Sequence, residues 1–318
     1  DLARISNVET ITSVATDQII SLTLHADARA DGFTTVDLSG DTDATSNNVI
    51  NATAITGGGM TLTGSAGIDT ITGTAGVDII TGGTGADIIA AGADNDVIAY
   101  AATADFVVGT AVVDTVDGEA GASDTILISN NGAAAFTVAN THDLARISNV
   151  ETITSVATDQ VISLTLHADA VTDGFTTVDL SGDTNTAAVN VINASNITGV
   201  TGMTLTGGSG VDTITGTNNA DIITGNGGVD TIVAGTGDDT VVYVATADLV
   251  SGGLVVDSVD GGSGANDAIL ISNTAAAFTL AVTDDLLRLS DVEKITSIAT
   301  NQVISLTLHA DAVTDGFT

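Results

Sequence analysis

The sequence contains no cysteine, no proline and no tryptophan, and only 3% of its 318 residues are aromatic. The absence of cysteine excludes a disulfide framework, so stability has to come from burial, backbone hydrogen bonds or bound metal. Hydrophobic residues still make up 43% of the chain, and they are therefore mainly Ala, Val, Ile and Leu. Such small and β-branched side chains suit thin layers of stacked strands better than one broad core.

Positive charge is also scarce, because 40 Asp and Glu face five Lys and Arg, for a formal charge of −35. A chain this acidic repels nucleic acid and anionic membranes, so neither is expected as a partner. No run of about 20 apolar residues is present, so we expect no membrane span. Acidity indicates disorder only when hydrophobicity is low, and the mean hydropathy here is +0.41. The composition favours a folded chain whose Asp residues hold cations; the alternative is general acidic solubilisation, as in salt-adapted proteins.

A long repeat organises the chain. The segment DLARISNVETITSVATDQ begins at Asp1 and returns at Asp143, and a third version, DLLRLSDVEKITSIATNQ, begins at Asp285. The period is 142 residues, which divides the sequence into long repeat 1 (1–142), long repeat 2 (143–284) and the start of a third (285–318). Tandem repetition of this kind predicts that the chain is a piece of a longer array.

Each long repeat contains four consecutive nonamers, at 64–99 and 207–242. Every nonamer has Asp at its sixth position and Ile or Val at its eighth. The sixth-position residues are Asp69, Asp78, Asp87, Asp96, Asp212, Asp221, Asp230 and Asp239. After each block, a spacer leads to a Gly-rich turn and a further stretched coil, which contains Asp124 in repeat 1 and Asp267 in repeat 2.

Short strand-like runs precede the first block: ETITSV, IISLTL, FTTVDL, NNVINA and MTLTG. Apolar and Thr residues alternate in them, and turns rich in Asp, Asn, Gly and Ser separate them. No segment shows sustained helical periodicity, although a short helical turn near 105–108 or 142–146 is compatible with the sequence. These patterns predict an all-β fold, a parallel β-solenoid or β-roll built from the tandem long repeats.

Two nonamers would form one coil of strand, turn, strand and turn, so that nonamers n and n+2 stack about 4.8 Å apart. Asp69 would then lie near Asp87, and Asp78 near Asp96, with the equivalent pairs in repeat 2. Carboxylates this close need a cation between them to remain ionised. Glycine in each turn is expected at positive φ, which leaves carbonyls directed at one centre, and Asn219 can adopt the same conformation. Carboxylate and carbonyl oxygens are the ligands that Ca²⁺ prefers.

The nonamers resemble the RTX, or haemolysin-type, calcium-binding repeat, whose form is G-G-x-G-x-D-x-U-x. GGTGADIIA (82–90) and GGSGVDTIT (207–215) match it in full. The resemblance implies a parallel β-roll, calcium binding outside the cell and type I secretion. It also implies a set of calcium ligands: the eight sixth-position Asp carboxylates, with Asp124 and Asp267 in the stretched coils, and the carbonyls of Gly67, Gly76, Gly85, Gly210 and Gly228.

Some nonamers depart from the family pattern. Ser65, Thr74 and Thr217 replace the second Gly, while Asn219 and Asp94 stand at the fourth position. We expect sites near these departures to be weaker or empty. The alternative to calcium binding is a metal-free solenoid in which Asp and Gly serve only as turn formers.

No catalytic constellation stands out. His25, His167 and His309 recur in the same SLTLHADA segment of successive repeats, whereas catalysis needs a unique site, so they are predicted to be structural. His142 becomes Asp284 in the next copy, which indicates an exposed position. Asp41 and Asp43 are interpreted as turn residues, because their counterparts are Asp183 and Asn185. The chain is therefore not expected to be an enzyme.

The long repeats are similar in composition to repetitive regions of bacterial S-layer proteins and giant RTX adhesins. The leading hypothesis is a secreted, calcium-binding structural segment of an S-layer, filament or sheath subunit that associates with copies of itself. One alternative is the stalk of a biofilm adhesin, which could bind a cell-surface glycan. Another is a calcium-folded secretion module of an enzyme or toxin that lies outside this chain.

Overall fold

The computed structural model describes residues 8–14, 19–109, 111–129, 135–142, 144–156, 161–199, 201–251, 254–272, 278–280, 286, 288–298 and 304–306. They fall into two compact units. Unit 1 lies within residues 1–130, 141–154 and 172–175, and unit 2 lies within 131–140, 155–171 and 176–318. Each unit contains one of the two nonamer blocks.

Unit 1 is built from short strands that pair in parallel. They are β1 (Thr10–Thr12), β2 (Ser21–Thr23), β3 (Thr35–Asp37), β4 (Val49–Asn51), β5 (Thr61–Thr63), β6 (Thr70–Thr72), β7 (Ile79–Thr81), β8 (Ile88–Ala90), β9 (Val97–Tyr100), β12 (Thr115–Asp117), β13 (Thr125–Ile128), β15 (Ile147–Ser148) and β16 (Thr152–Ser155). One sheet has the order β1-β3-β5-β7-β9-β13-β16, and the other has the order β2-β4-β6-β8-β12-β15. Successive strands thus alternate between two sheets through the nonamer block, which is the arrangement of a β-solenoid.

Unit 2 repeats this pattern. Its strands are β14 (Phe136–Val138), β17 (Ile162–Thr165), β18 (Thr177–Asp179), β19 (Val189–Asn193), β20 (Thr204–Thr206), β21 (Val211–Thr215), β22 (Ile222–Thr224), β23 (Thr231–Val233), β24 (Thr240–Tyr243), β27 (Ser258–Asp260), β28 (Ala268–Ile271), β29 (Phe278–Leu280), β30 (Leu289–Ser290), β31 (Lys294–Ser297) and β32 (Ile304–Leu306). The sheet orders are β18-β20-β22-β24-β28-β31, β14-β17-β19-β21-β23-β27-β30 and β29-β32. The predicted all-β parallel solenoid is confirmed, and the five strand-like runs before the first block form β1 to β5.

A short helix and an antiparallel hairpin interrupt each unit after its nonamer block. In unit 1 they are α1 (Thr103–Phe106), β10 (Val107–Val108) and β11 (Ala111–Val112); in unit 2 they are α2 (Thr246–Leu249), β25 (Val250–Ser251) and β26 (Leu254–Val255). The helical turn predicted near 105–108 therefore begins two residues earlier, and Val107–Val108 is a strand. No helix occurs among the described residues of 142–146.

The core is a set of rows of single apolar side chains, one from each strand triplet. In β6 and β8 the paired residues Ile71 and Ile89 both point inward, and Ile80 and Ile98 do the same in β7 and β9. All eight eighth-position residues of the nonamers are buried, which confirms their predicted inward direction. Neighbouring triplet residues face outward, so Ile79 is 48% exposed while Ile80 is fully buried. The period of two in a β-strand explains this alternation.

The inward rows should dominate stability. We expect Ile80→Ala to lower the free energy of unfolding by about 2–5 kcal/mol, because it removes a fully buried side chain and leaves a cavity. The matched control is Ile79→Ala, which truncates the same residue type at the adjacent outward position and should cost about 1 kcal/mol or less. Denaturant titration of both variants in the presence of calcium would measure the difference. Equal losses would contradict the assigned direction of the two side chains.

Candidate metal centre

Acidic side chains of unit 1 stack along two edges, in the residue that directly precedes each strand triplet. On the first edge, Oδ1 of Asp87 accepts a hydrogen bond from the backbone N–H of Asp69 at 2.8 Å, and Oδ1 of Asp114 accepts one from Asp87 at 2.8 Å. The N–H of Asn48 donates to Oδ1 of Asp69 at 3.1 Å. We call Asn48, Asp69, Asp87 and Asp114 the first ladder. Each carboxylate thus holds the backbone of the preceding coil.

The second ladder consists of Asp78, Asp96, Asp124 and Glu151. Oδ1 of Asp96 accepts the N–H of Asp78, and Oδ1 of Asp124 accepts the N–H of Asp96, both at 2.7 Å. Glu151 ends the ladder by accepting the N–H of Asp124 at 2.7 Å. The predicted stacking of Asp69 with Asp87 and of Asp78 with Asp96 is confirmed, but a backbone N–H joins the members of each pair.

Unit 2 carries the same two ladders. The first runs through Asp212, Asp230 and Asp257, with the N–H of Asp212 donating to Asp230 at 2.8 Å and that of Asp230 to Asp257 at 2.9 Å. Asn190 lies beside Asp212 in the parallel register of β19 and β21. The second runs through Asp221, Asp239, Asp267 and Glu293, with three bonds of 2.7 Å. The Asp and Asn members of all four ladders are at most 1% exposed. Stacked, buried carboxylates therefore occur at equivalent positions in both long repeats.

The nonamer pattern did not predict the ends of the first ladders. Asn48 begins one of them, and its side-chain amide donates to Asp41 Oδ2 and to Ser65 Oγ, both at 3.0 Å. At the other end, the Tyr100 hydroxyl donates to Asp114 Oδ2 at 2.9 Å. Asn190 with Asp183, and Tyr243 with Asp257, are the equivalents in unit 2. Asp41 is fully buried and accepts the hydrogen bond from Asn48, so it supports the end of the ladder in addition to its predicted place in a turn.

A signal for these ends was present in the sequence. Asn48, Asp114 and Glu151 each precede a triplet with an apolar central residue: Val-Ile-Asn, Thr-Val-Asp and Thr-Ile-Thr. This is the same arrangement as Asp-x-U-x within the nonamer. A search for any acid or amide before such a triplet would have found every ladder residue named above.

The nonamer turns fall into two classes, according to whether the other carboxylate oxygen, Oδ2, accepts a hydrogen bond from within the turn. In the first class, which we call closed, the N–H of the second nonamer residue donates to Oδ2. Thr74 donates to Asp78 and Thr217 donates to Asp221, both at 2.6 Å, and Ser65 donates to Asp69 in the same way. Gly208 also donates to Asp212, at 2.7 Å. Closed turns therefore occupy the first two nonamers of each block.

The second class, which we call open, occupies the third and fourth nonamers of each block. Here the second residue lies at positive φ: Gly83 (104°), Gly92 (118°), Asn226 (68°) and Gly235 (115°). Its N–H no longer reaches the carboxylate. The buried Oδ2 atoms of open turns have no hydrogen-bond partner; they belong to Asp87, Asp96, Asp230 and Asp239. In the stretched coils, Asp124 and Asp267 also leave Oδ2 without a hydrogen bond.

The expected role of glycine is confirmed only in the open turns. Gly85 and Gly228, at the fourth position, have φ of 129° and 133°, but Gly67, Gly76 and Gly210 do not lie at positive φ. In those closed turns the glycine allows close stacking: a Cβ on Gly67 would lie 1.9 Å from the carbonyl oxygen of Ser46. Asn219, which can adopt a left-handed conformation, does not do so in the structure, whereas Asn226 does, with φ of 68°. The chain places Asn219 in a closed turn, where that conformation is not required.

The predicted carbonyl ligands are not equivalent either. The carbonyl of Gly76 already accepts a hydrogen bond from the Thr74 hydroxyl at 2.9 Å. Asp94, the other departure at a fourth position, has φ of 69° and an exposed side chain, so its turn is open and its carboxylate lies outside the ladder. The structure therefore brings each predicted Asp into a ladder, while the Gly76 carbonyl is already engaged in a hydrogen bond.

Burial perturbs these carboxyls strongly. It raises the pKa of Asp87 and of Asp96 to about 7 and that of Asp230 to about 8, since a charge is costly away from water. Neighbouring carboxylates add to the rise: Asp114 and Asp69 at Asp87, and Asp257 and Asp212 at Asp230. Burial also raises the pKa of Asp78, but hydrogen bonds from Thr74 and Met60 oppose the effect.

The open turns fit a calcium ion. A buried carboxylate oxygen without a partner costs several kcal/mol unless it is protonated or bound to a cation. Within the described part of the chain, no three acidic or His side chains converge on one point as a metal cage. A cation at an open turn would therefore need main-chain oxygens in addition to carboxylates, and Ca²⁺ commonly takes this mixed oxygen set.

A family model agrees with this geometry. The model of the RTX calcium-binding nonapeptide repeat, in four copies, matches residues 63–98 and 206–241. These two segments are RTX calcium-binding nonapeptide repeats. Comparison with curated proteins and comparison with solved structures each gave no match. The RTX blocks coincide with the nonamers read from the sequence and support Ca²⁺ as their ion; the individual ligands remain predictions.

The histidines lie outside the RTX ladders. Nδ1 of His25 is 3.4 Å from a carboxylate oxygen of Asp27, and the equivalent distance from His167 to Asp169 is 3.2 Å. His309 is not among the described residues. His142 is only 9% exposed and its Nε2 lies 3.1 Å from the carbonyl oxygen of Gly109, so its predicted exposure is wrong. Where the structure is described, neither four-residue helix is long enough to cross a bilayer.

The raised pKa values of the RTX carboxyls predict how the calcium-free chain responds to pH. Because the folded pKa of Asp87 and Asp96 is about 7 and the ordinary value is 3.8, the folded state binds protons more tightly than the unfolded state between those values. This contribution is present at low pH and is lost as pH rises through about 7. We expect the denaturation midpoint in calcium-free buffer to decrease as the pH is raised from 6 to 8.

The control for this pH dependence is the double variant Asp87→Asn/Asp96→Asn, which should reduce the response between pH 6 and pH 8, while Asp230, with a pKa of about 8, still contributes. All other side chains are the same in the parent and the variant, so the comparison isolates the contribution of Asp87 and Asp96. A midpoint that rises with pH in the parent chain, or an equal slope in both chains, would contradict the assignment.

Proposed function

We propose that this chain is a calcium-stabilised structural segment of a secreted bacterial surface protein that assembles laterally into an S-layer, filament or sheath. The observation that carries the proposal is the set of buried, unpartnered carboxylate oxygens at equivalent turns of both repeats. RTX repeats are typical of secreted proteins, and calcium is abundant outside the cell. Type I secretion is the corresponding export route.

Calcium would act here as a folding ligand. Without it, the open-turn carboxylates are buried charges beside other carboxylates, in a chain of formal charge −35. Binding removes this cost only in the folded state, because the turns that present the oxygens do not exist in the unfolded chain. The binding free energy then becomes folding free energy. A structural role needs repetition of such sites rather than one unique site, and the long repeat supplies it.

Calcium titration tests this step. We expect the chelated chain at pH 8 to lose strand signal in circular dichroism or to unfold at lower temperature, and calcium to restore it cooperatively at about 10⁻⁴–10⁻³ M, the range of extracellular modules. Magnesium at the same concentration is the control, since it dehydrates reluctantly and demands octahedral geometry. Identical stability with chelator, magnesium and calcium would reject the proposed role.

The outward faces of the sheets support self-association. Ile79 in unit 1 and Ile222 in unit 2 occupy equivalent outward positions and are 48% and 50% exposed, and Ile88 on the other sheet of unit 1 is 51% exposed. Ile88 and Ile222 lie between Thr residues in the strand register, and Ile79 lies between Thr61 and Val97. Exposed apolar groups on a sheet surface favour contact with a similar surface. The negative charge opposes that contact, so calcium should promote it by reducing the repulsion between copies.

Imaging and sedimentation test the assembly. We expect the chain in millimolar calcium to form lateral assemblies, and Ile79→Thr/Ile88→Thr to reduce them without unfolding, since Thr retains strand propensity and removes the apolar contact. Val108→Thr is the matched control, because Val108 is 62% exposed but lies in the hairpin outside the sheets. Single particles of the parent chain at all calcium concentrations would contradict the array and favour the adhesin stalk, whose partner would be a cell-surface glycan.

A further inference from the structure

We infer that calcium binds at the third and fourth nonamer turns of each block, and that the turns of Ser65, Thr74 and Thr217 replace calcium with their own backbone N–H. This inference rests on the proposed calcium-dependent role and assigns it to particular turns. It divides seven of the eight nonamer turns into sites and non-sites by one conformational variable, the φ of the second nonamer residue.

The closed turns satisfy their carboxylates internally. Oδ2 of Asp78 accepts the Thr74 N–H at 2.6 Å and the Thr74 hydroxyl at 3.0 Å, while Oδ1 accepts the Met60 N–H at 2.5 Å. Asp221 has the same three donors from Thr217 and Met203. Hydrogen bonds to a charged group are stronger than those between neutral groups. A cation at these carboxylates would have to displace donors that are already in place.

The open turns have no such donor. At Asp96, Oδ1 accepts the N–H of Asp78 at 2.7 Å, but Oδ2 is buried and unpartnered. Asp239 in unit 2 repeats this state, with Oδ1 bonded to the Asp221 N–H at 2.7 Å. The carboxylate therefore uses one oxygen for the ladder and keeps the other for a ligand. An ion of positive charge and oxygen preference satisfies it without breaking the ladder.

The residue at the second position of the nonamer determines the class of most turns. A residue with a Cβ rarely adopts positive φ, and Thr, with its β-branch, is especially disfavoured there, so Thr74 and Thr217 hold their turns closed. The open turns have Gly83, Gly92 and Gly235 at this position, or Asn226, the residue type next best suited to it. The same order, two closed turns and then two open turns, occurs in both blocks despite different second residues.

The turn of Gly208 differs from the other closed turns. Its turn is closed, since its N–H donates to Oδ2 of Asp212, but Oδ1 of Asp212 is left without a partner. Glycine can adopt either sign of φ at little cost, so this turn is free to change class. Asp212 is therefore assigned neither as a calcium site nor as a non-site, and no variant at Asp212 is used in the experiments.

Two matched pairs of variants in the full chain test the inference. The first pair is Asp96→Asn and Asp78→Asn, neighbours on one ladder of unit 1. The number of calcium ions bound, measured by calorimetry with a calcium electrode as a second method, should fall by about one for Asp96→Asn and stay unchanged for Asp78→Asn. In chelator the order of melting temperature should be opposite: Asp96→Asn removes an unpartnered buried charge and melts higher, whereas Asp78→Asn places an amide against the Thr74 N–H and melts lower.

The second pair keeps every carboxylate. Gly235→Thr introduces a Cβ at φ 115°, which would lie 2.1 Å from the Thr217 carbonyl oxygen, so the turn can persist only by closing. Calcium bound should again fall by about one. Gly227→Thr is the control, since its Cβ would meet only the Ser209 carbonyl oxygen at 3.9 Å, and it should bind as many ions as the parent.

The outcomes separate the two proposals. Equal loss of calcium from Asp78→Asn and Asp96→Asn, or full binding by Gly235→Thr, would overturn the division into sites and non-sites while leaving calcium-dependent folding intact. No calcium binding by the parent chain would overturn the proposed function, and the division with it. Loss confined to Asp96→Asn and Gly235→Thr would support both.

Discussion

The hydrogen bond from a backbone N–H to the carboxylate one coil later is the interaction on which the rest of this structure depends. It joins Asp69 to Asp87 and Asp78 to Asp96, and it spans 18 residues in each case. Within the nonamer blocks the bond holds each Asp beside the Asp of the next coil, immediately before the strand triplet, which fixes the register of the apolar rows inside. It also brings acidic side chains into buried stacks, and this creates the electrostatic cost that the chain must offset.

Four kinds of group can offset that electrostatic cost, and they occur in different coils. A neutral amide replaces the acid at Asn48, a backbone N–H caps Asp78, and a phenol caps Asp114. In the open turns none of these is present, and only protonation or a cation can serve. The amide and the phenol occur only in the first ladders, whereas a closed turn followed by an open turn occurs in both ladders of both units. On the proposed division, calcium dependence is confined to the open turns of each repeat, while hydrogen bonds from the chain itself satisfy the carboxylates of the closed turns.

Sequence periodicity was sufficient to predict the coil, the stacking of Asp69 on Asp87 and the inward direction of Ile80, because each depends only on residue spacing. It was not sufficient for the turn class. Gly208 and Gly83 both follow a glycine in full family matches, yet one turn is closed and the other open, since glycine permits both signs of φ. The ladder ends were missed for a different reason: Asn48 and Asp114 lie outside the nonamers, although both precede a triplet of the same form.

The position of the open turns has a consequence for how calcium affects folding. Asp96 receives the N–H of Asp78 and donates its own N–H to Asp124, so an ion held at Asp96 acts on a coil that is bonded on both sides. In repeat proteins, stability is a sum of unit terms and nearest-neighbour terms. A ligand that stabilises one coil adds to that coil's own term, and the shared hydrogen bonds couple the folding of this coil to that of its neighbours. On the proposed division, the closed coils need no ion because backbone N–H groups already satisfy their carboxylates, and the ladder couples them to the coils that bind one.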